Sequence, residues 1–100
     1  MKSVIYIVLL LMLIACAEES TAFNSCFEYS PESLIKIGDT VFFENCSQGA
    51  NSYLWDFGDG TNSTLANPIH VYKTPGSFKV NLEANSSNGS SVNTQYVLIE

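Results

Sequence analysis

From residue 26 onward, apolar and polar residues alternate with a period of two over several short stretches. Phe78, Val80, Leu82 and Ala84 alternate with Lys79, Asn81 and Glu83, which puts the apolar set on one face of an extended strand. Tyr53, Trp55 and Phe57 share a face in the same way, and three large aromatics on one side are enough to seed a small core. Phe27 and Tyr29 are the inward pair of a strand over 26–29, and Val97 and Ile99 close one over 92–99. Further strands are expected over 40–45 and 69–73, with a short edge strand over 61–65. Between them stand turn residues: Ser30-Pro31-Glu32-Ser33, Gly58-Asp59-Gly60, Ala66-Asn67-Pro68 and the hairpin loop Ser86-Ser87-Asn88-Gly89-Ser90. Thr74-Pro75-Gly76-Ser77 carries Pro then Gly at the central positions, the requirement of a type II turn. Leu34, Ile35 and Ile37 lie on a connection that ends at Gly38-Asp39. Helical periodicity and internal repeats are absent. Six or seven short antiparallel strands at this spacing predict an all-β sandwich.

The first 25 residues follow another pattern. Lys2 gives a short positive start, and Val4 to Ile14 is an unbroken run of 11 apolar residues. That run is too short to span a bilayer comfortably and suits the apolar segment of a signal peptide. It closes on Leu13-Ile14-Ala15-Cys16, which resembles the bacterial lipobox, so residues 1–15 are expected to be a lipoprotein signal peptide and Cys16 the lipidated residue. Acyl chains on Cys16 then anchor the chain to the membrane, and stable anchoring takes more than one. Residues 16–25 form an acidic tether, with Glu18 and Glu19 close to the lipid. Ala17, rather than Asp, follows the cysteine, which does not resemble an inner-membrane retention signal. The acidic pair resembles surface-export signals of some Gram-negative lipoproteins. The expected location is the bacterial cell envelope, at the outer membrane, with display at the cell surface as the further option.

The leader distorts the composition. The chain is 46% apolar overall, but 14 of its first 16 residues are apolar. The remainder is rich in Ser, Asn and Thr, and a domain of this size is marginal without a covalent staple. Net charge is −6, with four lysines and no arginine. With no basic cluster, nucleic acid is not an expected partner. Four Asn-X-Ser/Thr sequons, at Asn45, Asn62, Asn85 and Asn88, are read as chance in an Asn/Ser-rich surface on a bacterial protein.

Asp56, Asp59 and His70 are the residues that invite a catalytic or metal reading. Two carboxylates three apart suit acid–base work or a weak Ca²⁺ site. The spacing is not that of an EF-hand, since glycines follow Asp56 at +2 and +4 and Asp59 has no acid eleven residues on. Aspartates in Gly-rich turns more often accept backbone N–H bonds and hold the loop. His70 and Tyr72 share a strand face, which suggests a half-buried histidine beside a tyrosine whose hydroxyl ties down a corner, as in related sandwiches. The sequence contains no nucleophile–base pair, phosphate loop or Cys/His zinc spacing, so no enzyme activity and no cofactor are expected.

Trp55-Asp56-Phe57-Gly58-Asp59-Gly60-Thr61 resembles the signature of the PKD (polycystic kidney disease) domain, an immunoglobulin-like β-sandwich. Asn67-Pro68-Ile69-His70-Val71-Tyr72 and Thr74-Pro75-Gly76-Ser77-Phe78-Lys79-Val80-Asn81-Leu82 are similar to the same family at the same spacing, and Gly38-Asp39-Thr40-Val41-Phe42-Phe43 looks like its second strand. The resemblance makes residues 26–100 a PKD-like domain. It implies that Val41 and Phe43 face inward, and that Tyr53, Trp55, Phe57, Gly58, Gly60, His70, Tyr72, Pro75 and Gly76 are residues of the fold. If Phe27, Tyr29, Val41 and Phe43 point inward, Cys26 and Cys46 point outward near the same end of an antiparallel pair. A Cys26–Cys46 disulfide is therefore expected, in keeping with an oxidising compartment. The family does not require this bridge.

The family usually shows polar residues where this chain has Phe42, Ile69, Val71 and Leu98. With the facing above, Phe42, Ile69 and Val71 lie outward on one sheet and Leu54, Tyr96 and Leu98 outward on the other. Exposed apolar patches often mark an interaction surface, unless the 30–38 connection, for example Ile35, covers them. The resemblance implies a non-catalytic module contacting a protein or a glycan. The alternative is a surface spacer without a specific ligand.

Overall fold

The structure, a computed structural model, describes residues 23–100. The expected signal peptide, the lipidation site Cys16 and the tether as far as residue 22 lie outside the described residues. Seven strands follow in order: β1 (Phe27–Ser30), β2 (Thr40–Asn45), β3 (Ser52–Asp56), β4 (Asn62–Ser63), β5 (Ile69–Val71), β6 (Gly76–Ser86) and β7 (Gly89–Ile99). Every strand pairing is antiparallel, and the strands form two sheets, β1-β2-β5 and β4-β3-β6-β7.

The alternating residues explain why the two sheets stack. Each strand sends its apolar set to the same side, so the sheets bury those sides against each other. Phe27, Val41, Phe43, Trp55, Val80, Leu82, Val97 and Ile99 fill the interlayer, with Phe57 and Tyr72 closing one end. Trp55 is 0% exposed and sits at the centre, 5.0 Å from the Phe27 ring and 5.4 Å from the Phe43 ring between centroids. Its indole N–H donates to the Leu65 carbonyl at 2.8 Å, so the core residue also holds the loop after β4. A buried tryptophan needs such a partner.

The connection from β1 to β2 crosses between the sheets. Ile35 forms a parallel bridge with Ile99 and inserts into the core. Glu100 N–H donates to the Ile35 carbonyl, and Ile37 N–H to that of Glu100. Gly38 N–H reaches the Tyr72 carbonyl on the other side. Ile35 therefore seals one end of the sandwich and does not cover an outer face.

Three local expectations change. Gly76 has φ +148° and pairs with Ile99 as the first residue of β6. That φ is far from the type II value, and the chain bends one step earlier, at Lys73 and Thr74. The β7 ladder draws Gly76 into the sheet as its first paired residue. The expected five-residue loop tightens to Ser87-Asn88, because β6 and β7 pair over 11 residues each, to Ser86 opposite Gly89. The packed domain also starts before residue 26. Asn24 exchanges two backbone hydrogen bonds with Gln48, and Ser25 N–H donates to the Ser91 hydroxyl.

Cys26 and Cys46 form a disulfide, with Cα atoms 4.9 Å apart. They continue the β1–β2 ladder one step beyond Phe27 opposite Asn45. The Ser47 hydroxyl clamps the same place, accepting from Cys26 N–H and donating to the Cys26 carbonyl.

Candidate functional site

The turn after β3 and strand β5 bring the polar candidates together at one end of the sandwich. The Asp56 carboxylate accepts from Gly58 N–H at 2.9 Å, and that of Asp59 from Thr61 N–H at 3.1 Å. Both aspartates brace the turn by the local side-chain-to-backbone bonds favoured there. Asp59 does more. Its other oxygen lies 2.8 Å from His70 Nε2, and the Thr61 hydroxyl donates to its first. Burial raises the Asp59 carboxyl, but the bonds from Thr61 and His70 and the imidazole charge outweigh it and hold the group below its ordinary value.

His70 lies flat on Phe57, with ring centroids 4.3 Å apart and 7° between planes, and meets Tyr72 edge-on at 4.6 Å. The Tyr72 hydroxyl donates to the Phe57 carbonyl at 2.9 Å in a buried position. Burial pushes that phenol up, and the Asp59 and Asp56 carboxylates add to the shift. The tyrosine corner expected from sequence is thus present, reaching back 15 residues. A cleft of about 510 Å³ opens beside Asp59, Thr61, His70, Lys73 and Phe78.

The structure brings Asp59 and His70 into contact and turns Asp56 to a different task. The histidine ring is fixed on three sides by a carboxylate, a stacked ring and an edge-on ring. Its Nε2 is engaged by the Asp59 carboxylate. Among the described residues no three His, Cys, Asp or Glu side chains converge as a metal site would require. The Asp59–His70 contact itself went unassigned in the sequence. The signal that bears on it is Asp59 in a Gly-rich turn and a histidine on the next inward face.

The other candidates lie on the outer faces. On the three-stranded sheet Phe42 stands directly opposite Ile69, 56% and 61% exposed, and Val71 follows Ile69 along β5. The three make one contiguous apolar strip. On the four-stranded sheet Tyr96 and Leu98 are neighbours on β7, both well exposed. Leu54 shares that face but stands apart, opposite Glu83, with Asn81 and Thr94 hydrogen-bonded in the row between. Val92, opposite Glu83 on the other side, is a further exposed apolar residue that the sequence reading did not single out.

Two antiparallel sheets with a tyrosine corner, a buried strand tryptophan and loops gathered at the ends define an immunoglobulin-like β-sandwich. The family model described as "PKD domain" matches residues 26–100. The chain belongs to the PKD domain family. It is similar to a collagenase of Bacillus cereus (strain Q1), 58% identical over 38 residues, which is 38% of this chain and 4% of that protein. It is also similar to a microbial collagenase of Vibrio alginolyticus, 33% identical over 69 residues, 64% of this chain and 8% of that protein. The chain thus spans only a small part of these relatives' length. Among solved structures, the PKD1 domain of the Vibrio cholerae metalloprotease PrtV superposes with a TM-score of 0.67 at 33% identity, covering 79% of this chain and 98% of that one. A structure of carbohydrate-binding modules from the β-sandwich superfamily gives 0.71 at 31% identity, covering 79% of this chain and 34% of that one.

Proposed function

We propose that this chain is a non-catalytic binding module of a bacterial cell envelope, held to the outer membrane by lipid on Cys16 and contacting a protein or a glycan through an outer sheet face. The observation that carries the reading is the Phe42–Ile69 pair, two large apolar side chains directly opposite each other and more than half exposed. A monomer gains nothing from leaving them in water, and such patches mark contact surfaces. The polar residues at the corner, by contrast, satisfy one another. The likeness to pieces of collagenases and to carbohydrate-binding modules supports a contact role alongside larger partners. The leader motif Leu13-Ile14-Ala15-Cys16 supports the anchor.

Partner capture from intact envelopes tests the contact role. A partner held by the native chain and released by Phe42→Ser/Val71→Ser is the expected result. No partner under cross-linking favours a spacer or coat protein, the second reading. The mass of the mature N-terminus tests the anchor: a diacylated or triacylated Cys16 is expected, and an unmodified Met1 or Cys16 contradicts it.

A further inference from the structure

We propose that the outer face of the three-stranded sheet docks a basic segment of a partner protein, with arginine or lysine two residues from an apolar side chain, so that an extended segment turns both to this face. The proposal rests on the contact reading above and names the partner's chemistry. Beside the apolar strip, Glu28 on β1 stands directly opposite Glu44 on β2. Like charges in directly opposed positions destabilise a sheet, and among the described residues no cation pairs with either glutamate. The ion pair found among the described residues is Asp59–His70, at the other side of β5.

The lysines among the described residues lie elsewhere: Lys36 in the β1–β2 connection, Lys73 after β5 and Lys79 on the four-stranded sheet. Glu28, Glu32 and Glu44 meet Phe42 and Tyr29 around a cleft of about 150 Å³. A second cleft of about 410 Å³, on the Gln95 side of β1, shares Glu28, Tyr29 and Glu32. Carboxylates thus flank β1 on both sides, next to an aromatic ring that can also take a guanidinium on its face.

The same features reject other occupants. A second copy of the chain would bring another Glu28–Glu44 pair against the first. An anionic lipid surface or nucleic acid would be repelled. A segment with apolar side chains on Phe42 and Ile69 and cations over the glutamates satisfies both halves of the face. Its cations would steer the encounter and relieve the cross-strand repulsion.

The test uses the full chain, ¹⁵N-labelled, in neutral maltoside micelles, with micelles alone as blank. The probes are the seven-residue peptide Arg-Ser-Arg-Ser-Val-Ser-Val, which when extended carries its arginines and valines on one face, the same peptide with glutamate for arginine, and a neutral oligosaccharide. Amide shifts give the site and the affinity, and circular dichroism checks that each variant is folded. The arginine peptide is expected to shift amides of β2, β5 and β1, and to bind more weakly as salt rises. Glu28→Gln/Glu44→Gln is expected to weaken it by about five- to tenfold, and Phe42→Ser/Ile69→Ser at least as much. The charge-matched control Glu83→Gln/Glu100→Gln should leave binding within about twofold. Equal weakening by the control shows attraction to net charge and overturns the proposal. If only the Phe42/Ile69 variant loses binding, or the oligosaccharide binds the same strands, the face remains a contact surface and the basic partner is rejected. If no probe binds there and no envelope partner depends on Phe42, both readings fail.

Discussion

Tyr72 and Phe57 are joined by a buried hydrogen bond of 2.9 Å, from the tyrosine hydroxyl to the phenylalanine carbonyl. The bond fixes the turn after β3 against the end of β5, and so sets where Asp59 and His70 meet. Tyr72→Phe keeps the ring stacked near Phe78 but orphans the carbonyl. It is expected to cost about 1–3 kcal/mol, read as a fall in urea midpoint at unchanged slope.

Gly58 and Gly60 differ in kind although both have positive φ, +85° and +93°. A Cβ on Gly58 would lie 2.6 Å from the Lys79 carbonyl oxygen and 2.9 Å from its nitrogen, whereas one on Gly60 meets nothing within 4 Å. Gly60→Ala is expected to lose only the backbone strain, about 1–2 kcal/mol. Gly58→Ala must also push β3 from β6, and should cost clearly more in the same denaturation series.

The disulfide closes a loop with a sequence separation of 20. In the chain-entropy model such a bridge contributes about 3 kcal/mol, a large share of a small domain's stability. Cys26→Ser/Cys46→Ser is expected to lower the thermal midpoint markedly, and reductant should do the same to the native chain but not to the variant.

Asp59 sets the acid response. Its folded carboxyl lies below the ordinary value of 3.8, so as pH falls through that range the unfolded chain takes up protons before the folded one does. Stability is then present above the ordinary value and is lost as pH drops towards the folded one. Asp59→Asn is expected to flatten the stability curve in that acid range, measured by denaturation at a series of pH values.

The strands were legible where the residues alternate cleanly, as in Phe78 to Ala84, and where the family motif fixed the facing, as at Val41 and Phe43. The disulfide followed from the same parity. At Gly76 local pattern and structure part, because a Pro-Gly pair suits a type II turn locally while the long β6–β7 ladder decides the backbone there. Ile35 was ambiguous because a connection has no periodicity to show which way it faces. The Asp59–His70 contact depends on the turn after β3 meeting strand β5 across the end of the sandwich, which short-range pattern does not encode. The outer apolar residues were visible only as departures from the family pattern, and their grouping into one strip and one broken set needed the register.

The central claim is that contact is made by the Phe42 face while the Asp59–His70 corner serves the fold. Envelope capture with two folded variants compares them directly. Phe42→Ser/Val71→Ser is expected to keep the native denaturation midpoint within about 0.5 kcal/mol and to lose the partner, while Asp59→Asn loses acid stability and keeps it. A folded Asp59→Asn chain that releases the partner, beside a Phe42→Ser/Val71→Ser chain that retains it, would contradict the account.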